Sequence, residues 1–103
     1  MKNKITAVQT FHKAFGLGMK DSPTANLDTH KNLLRYKLMR EENEEYLDAA
    51  NNKDLVEVAD ALGDMLYILC GTIIEHGMQH KIEEVFNEIQ KSNILIIGPT
   101  GCG

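Results

Sequence analysis

Six acidic residues fall in a pattern with chemical use. In Arg40-Glu41-Glu42-Asn43-Glu44-Glu45, Glu41 and Glu45 stand at i,i+4 and Glu42 and Glu45 at i,i+3, so three carboxylates share one helix edge. Glu57, Asp60 and Asp64 follow at i, i+3 and i+7 and make a second stripe. Asn51-Asn52-Lys53 is a polar connector short enough to require an antiparallel helical hairpin, which turns the two stripes face to face. Carboxylates converging in this way repel one another unless cations sit between them. Hard cations such as Mg²⁺ or Mn²⁺ take oxygen ligands and share them with phosphates. The pattern points to metal-assisted chemistry on a phosphorylated substrate.

A plainer reading stands beside this one. An acidic run is often a solvated helix face held by its own i,i+4 pairs, and Glu57, three residues after Asp54, also suits a capping box. Asp60 and Asp64 resist that reading. They lie within Val58-Ala59-Asp60-Ala61-Leu62-Gly63-Asp64-Met65-Leu66, where apolar neighbours predict partial burial, and buried acids want partners.

The positioning elements read as helices. Ile5, Val8, Phe11, His12 and Phe15 outline a first amphipathic helix, ended by Gly16, Gly18 and a loop that reaches about Asn26. Asp28 or Thr29 caps a second that runs to about Ala50. Asp54 opens a third, apolar nearly all round beyond Met65, which stops at Gly77. A fourth covers about Lys81 to Lys91, with Ile82, Val85, Phe86 and Ile89 on one face. His12, Cys70 and the methionines read as packing residues.

With 103 residues, the chain has room for one domain, small enough that oligomerisation would help bury its surface. A net charge of −4 with no basic stripe argues against nucleic acid as a partner. Met65 to Ile74 is about half of a membrane span, so no membrane association is expected. Two cysteines without a disulfide framework, and an N-terminus without a signal-peptide core, suit a cytoplasmic protein.

Glu41-Glu42-x-x-Glu45 followed by Glu57-x-x-Asp60 resembles the EExxE…ExxD pattern of the all-α NTP pyrophosphohydrolases, the MazG-like and phosphoribosyl-ATP pyrophosphohydrolase-like proteins. Phe11 to Leu17, Arg35, Asp60 to Tyr67 and Val85 to Asn93 fit the same family, so the resemblance covers about residues 5–93. It implies a four-helix MazG-like bundle completed as a homodimer or homotetramer, with helices packed across subunits. It also implies Mg²⁺-dependent cleavage of an NTP or dNTP to the monophosphate and pyrophosphate, Mn²⁺ being an alternative metal. Glu41 or Glu42 with Glu45, Glu57 and Asp60 would then be metal ligands. A second-helix glutamate, Glu42 or Glu45, would take the proton of the attacking water. Asp64, Arg35, Lys91 and Asn93 are weaker candidates for contact with the metal or substrate. Phosphoribosyl-ATP is an alternative substrate, and a non-catalytic helical interaction module is the reading from another class.

The expected domain is 1–93, followed by an atypical tail, 94–103, without a function of its own. Where the family continues with Met-Ser-Lys, this chain has Ile94-Leu95-Ile96-Ile97, a strand-like β-branched run. The segment from Lys91 to Gly103 looks like the strand and start of an AAA+ P-loop. Gly98 and Gly103 match its two glycines, but the lysine and hydroxyl residue that complete the pattern do not follow.

Overall fold

The computed structural model of the chain describes residues 1–97. Its order is α1 (Lys2–Ala14), α2 (Thr29–Asn51), α3 (Leu55–Glu75) and α4 (Ile82–Ile97), and the fold is all-α, as the MazG-like reading expects. Local chemistry explains the boundaries. Asp28 caps α2 by accepting the Lys31 N–H at 2.9 Å, and Asp54 caps α3 by accepting the Glu57 N–H at 3.2 Å. α2 and α3 form the expected hairpin, and α1 lies against α3.

The core is small. Ile5 and Val8 of α1 meet Cys70 and Ile74 of α3, with Leu66 and Ile82 packed against them. Phe11 stacks near Phe15 at 4.5 Å between ring centroids and meets Tyr67 edge-on at 5.9 Å, which extends the α1–α3 contact. Among the described residues, α4 joins this core through Ile82, while Val85, Phe86 and Ile89 remain exposed. The radius of gyration, 15.8 Å, exceeds the roughly 13 Å of a compact chain of this size.

One expectation needs correction. Ile94 to Ile97 was expected to be strand-like, but α4 runs through these residues. A four-residue apolar run has no periodicity of its own, and the helix already under way from Ile82 decides its conformation. Gly98 to Gly103, and with them the partial P-loop pattern, lie outside the described residues.

The hairpin turn closes by a Schellman arrangement. The Asp54 N–H donates to the Ala49 carbonyl at 3.0 Å and the Lys53 N–H to the Ala50 carbonyl at 3.1 Å. α3 ends the same way, with Met78 donating to Ile73 and Gly77 to Ile74. There the left-handed position is Gly77, φ 67°, where a Cβ would strike the Ser22 carbonyl. In the hairpin the equivalent residue is Lys53, φ 56°, a side chain in a region that favours glycine. Lys53→Gly is therefore expected to stabilise the fold by about 0.5–1 kcal/mol, part of the relief being offset by a freer unfolded chain. Urea denaturation measures this, and an unchanged midpoint would mean that the turn carries no strain.

Candidate metal centre between α2 and α3

Capping and helix periodicity divide the acidic run into two faces. Glu44 turns outward and pairs with Arg40, Nε to Oε1 at 3.0 Å, on the exposed side of α2. Here the plainer reading of the run, a solvated face with its own ion pair, is correct. Glu42 and Glu45 face α3 instead. With Asp64 they form a group in which one carboxylate oxygen from each lies within 4.8 Å of the others. Glu42 and Asp64 are half-buried and Glu45 is exposed.

The group is electrostatically uncomfortable. Glu42 Oε2 is shut off from solvent and has no hydrogen-bond partner. Burial first, and then the negative charges of Glu45 and Asp64, push the Glu42 carboxyl up to about 7. A divalent cation would relieve both defects, since it supplies the missing partner and cancels the repulsion. Ligand oxygens around Mg²⁺ at about 2.1 Å stand roughly 3–4 Å apart, and the three oxygens here all lie within 4.8 Å of one another. The donor set, all carboxylate oxygen, suits a hard cation.

Beside this group, towards the hairpin turn, a cleft of about 240 Å³ is lined by Glu45, Asp48, Asp54, Glu57 and Asp60, with Ala49 and Asn52. Glu45 belongs to both places and joins them. Asp54 caps the Glu57 backbone, but the return half of a capping box does not form, because the Asp54 N–H is taken by Ala49. The Glu57 carboxylate is thus left to the cleft.

The candidates of the sequence reading distribute unevenly. Glu42 and Glu45 come together, and Asp64, a weaker candidate, joins them more closely than Glu57 or Asp60, which line the adjoining cleft. Glu41 is exposed and stands outside the group. Arg35 is turned onto α3, its Nε donating to Thr72 Oγ1 at 3.1 Å and its Nη2 to the Ile68 carbonyl at 2.9 Å. Lys91 and Asn93 lie on α4, Lys91 within 3.4 Å of Glu88. Asp48 escaped the sequence reading, although its place three residues after Glu45 was the signal for it. His12 is a buried packing residue, its Nδ1–H donating to the Gly18 carbonyl at 3.0 Å.

Among the described residues no helix is long and apolar enough to cross a membrane. Comparison with curated proteins finds none that matches the chain. The family model described as phosphoribosyl-ATP pyrophosphohydrolase matches residues 8–93, a span that holds the hairpin, all of its acids and most of α4. The chain belongs to the phosphoribosyl-ATP pyrophosphohydrolase family, within the all-α MazG-like pyrophosphohydrolase superfamily.

Proposed function

We propose that the chain is a Mg²⁺-dependent nucleoside triphosphate pyrophosphohydrolase that releases pyrophosphate and leaves a monophosphate. The observation that carries this reading is the group of Glu42, Glu45 and Asp64, three oxygens within 4.8 Å with one orphaned buried acceptor. These three hold the metal, and Glu57 and Asp60 across the cleft extend the donor set toward a second cation or its waters. Once bound there, Mg²⁺ neutralises phosphate charge and acidifies the attacking water. Glu45, solvent-exposed and common to the acid group and the cleft, or Glu42 beside it, takes the proton from that water. Self-association as a homodimer or homotetramer belongs to the same reading. Leu33 and Leu34 of α2, Leu62 and Leu69 of α3, and Phe86 and Ile89 of α4 are all exposed, more apolar surface than a monomer comfortably shows.

A second reading keeps the reaction and changes the substrate to phosphoribosyl-ATP, which the matched family favours. Both are tested by assaying pyrophosphate release from ribo- and deoxyribonucleoside triphosphates and phosphoribosyl-ATP with Mg²⁺, beside Glu45→Gln. Release that falls at least about 100-fold in the variant is expected if the carboxylate acts in the chemistry. Silence toward every substrate would sink both readings.

The acid group also predicts a pH dependence in metal-free protein. The Glu42 carboxyl is raised to about 7 in the fold, so the native state keeps a proton that the unfolded chain has released. This contribution to stability is complete below about pH 4 and is lost as pH rises to about 7. Melting temperature should fall across that window, less so in Glu42→Gln, and Mg²⁺ should restore the wild type at pH 8 by binding the ionised cluster. Equal slopes for wild type and variant would show that Glu42 is not under this strain. Sedimentation velocity tests self-association, and a monomer at tens of micromolar would contradict that part of the reading.

A further inference from the structure

We propose that Arg35 is the positioning residue of the acidic centre, locking α2 against α3 at one axial register from a socket that Gly71 leaves open. The inference rests on the metal-binding reading above. The centre draws Glu42 and Glu45 from α2 and Asp64 from α3, so its oxygens meet only if the two helices keep their register. A slip of one residue along an axis moves a side chain by about 1.5 Å and turns it by about 100°. The hairpin turn fixes one end of the pair, at residues 49–54. The acids lie further along it and need a second constraint beyond them.

Arg35 supplies that constraint. It stands seven residues before Glu42, and its acceptor Ile68 stands four residues after Asp64, so its bonds span the hairpin just past the acids. Lys31 continues the ladder, its Nζ 3.0 Å from Oε2 of the buried Glu75. As α2 is read from Lys31 through Arg35 to Glu42, the partners on α3 recede from Glu75 through Thr72 and Ile68 to Asp64. Arg35 holds two acceptors at once, Thr72 Oγ1 and the Ile68 carbonyl, which fixes direction as well as distance.

The socket is shaped for the guanidinium. A Cβ on Gly71 would lie 2.6 Å from Arg35 Nη2 and 3.1 Å from His12 Nε2, so a side chain there would force the guanidinium to shift. Stability alone gives no reason for a cation here. Burial disfavours the Arg35 charge, with Glu75 offsetting part of the cost, and an apolar side chain would occupy the same space more cheaply. Nor would its loss orphan the acceptors, because the Thr72 hydroxyl donates to the Ile68 carbonyl in any case, at 2.9 Å. What the guanidinium adds is geometry.

The test titrates the full chain with Mn²⁺, followed by electron paramagnetic resonance, with helicity checked by circular dichroism. Arg35→Met is expected to fold with wild-type helicity and to bind Mn²⁺ about 3–30-fold more weakly, the range for a residue that acts on a site without touching it. Gly71→Ala should do the same by displacing the guanidinium. The double variant should be no weaker than the worse single one, since both remove the same contact. Mn²⁺ affinity within twofold of wild type in folded Arg35→Met, or in Gly71→Ala if Arg35→Met does not fold, overturns the inference. Additive losses in the double variant overturn it too. A wild type that binds no Mn²⁺ instead overturns the metal reading on which the inference stands.

Discussion

Like charges facing each other across a helical hairpin are the constraint around which this fold is arranged. Glu42, Glu45 and Asp64 repel one another across the hairpin, and burial together with that repulsion raises the Glu42 carboxyl. Two anchors hold the hairpin. The Schellman turn at residues 49–54 closes one end, and the Arg35 and Lys31 contacts tie the other. The acids sit between them, where neither anchor has to bear their repulsion directly. Such strain confined to one place, with consistent local structure on both sides, is what a site built for a ligand looks like.

The anchoring depends more on polar contacts than on a large apolar core. The irregular segment 15–28 lies along the end of α3 and satisfies groups that the helix leaves open. The Lys20 N–H donates to the Ile74 carbonyl, the Thr24 N–H to the His76 carbonyl, and His76 Nδ1–H back to the Thr24 carbonyl at 2.8 Å. Gln79 Nε2 adds a bond to the Lys20 carbonyl at 2.8 Å. Glu75, 3% exposed, is stable there because Lys31 meets it. With few fully buried apolar side chains, the chain relies on these links to hold α1, the loop and α3 together.

Features set by near neighbours were legible in the sequence. The cap at Asp54 and the hairpin between α2 and α3 follow from residues close in sequence, and the same spacing offers Glu41 or Glu42 as the partner of Glu45. Features set across the fold were not. Glu41 and Glu42 have the same side chain and adjacent positions, and only the placement of α3 decides that Glu42 meets Asp64 while Glu41 faces solvent. The pairing of Lys31 with Glu75 joins residues 44 apart, and no spacing rule reaches so far. Ile94 to Ile97 misled for the opposite reason: β-branched composition spoke for a strand, and the continuing helix overrode it.

The charge of the site also orders the events that the proposed reaction requires. A triphosphate approaching this hairpin meets Glu42, Glu45 and Asp64 and, beside them, the carboxylates of the cleft. Three cations of α2 are committed elsewhere, Arg40 to Glu44, Arg35 to α3 and Lys31 to Glu75. Lys91 is on α4, which packs through Ile82 onto the α1–α3 core. An anion therefore meets carboxylates where the reaction needs attraction. In the proposed reading the divalent cation is then a condition of substrate binding as well as of chemistry. Glu42, Glu45 and Asp64 would hold such a cation, and its charge would offset the repulsion that raises the Glu42 carboxyl.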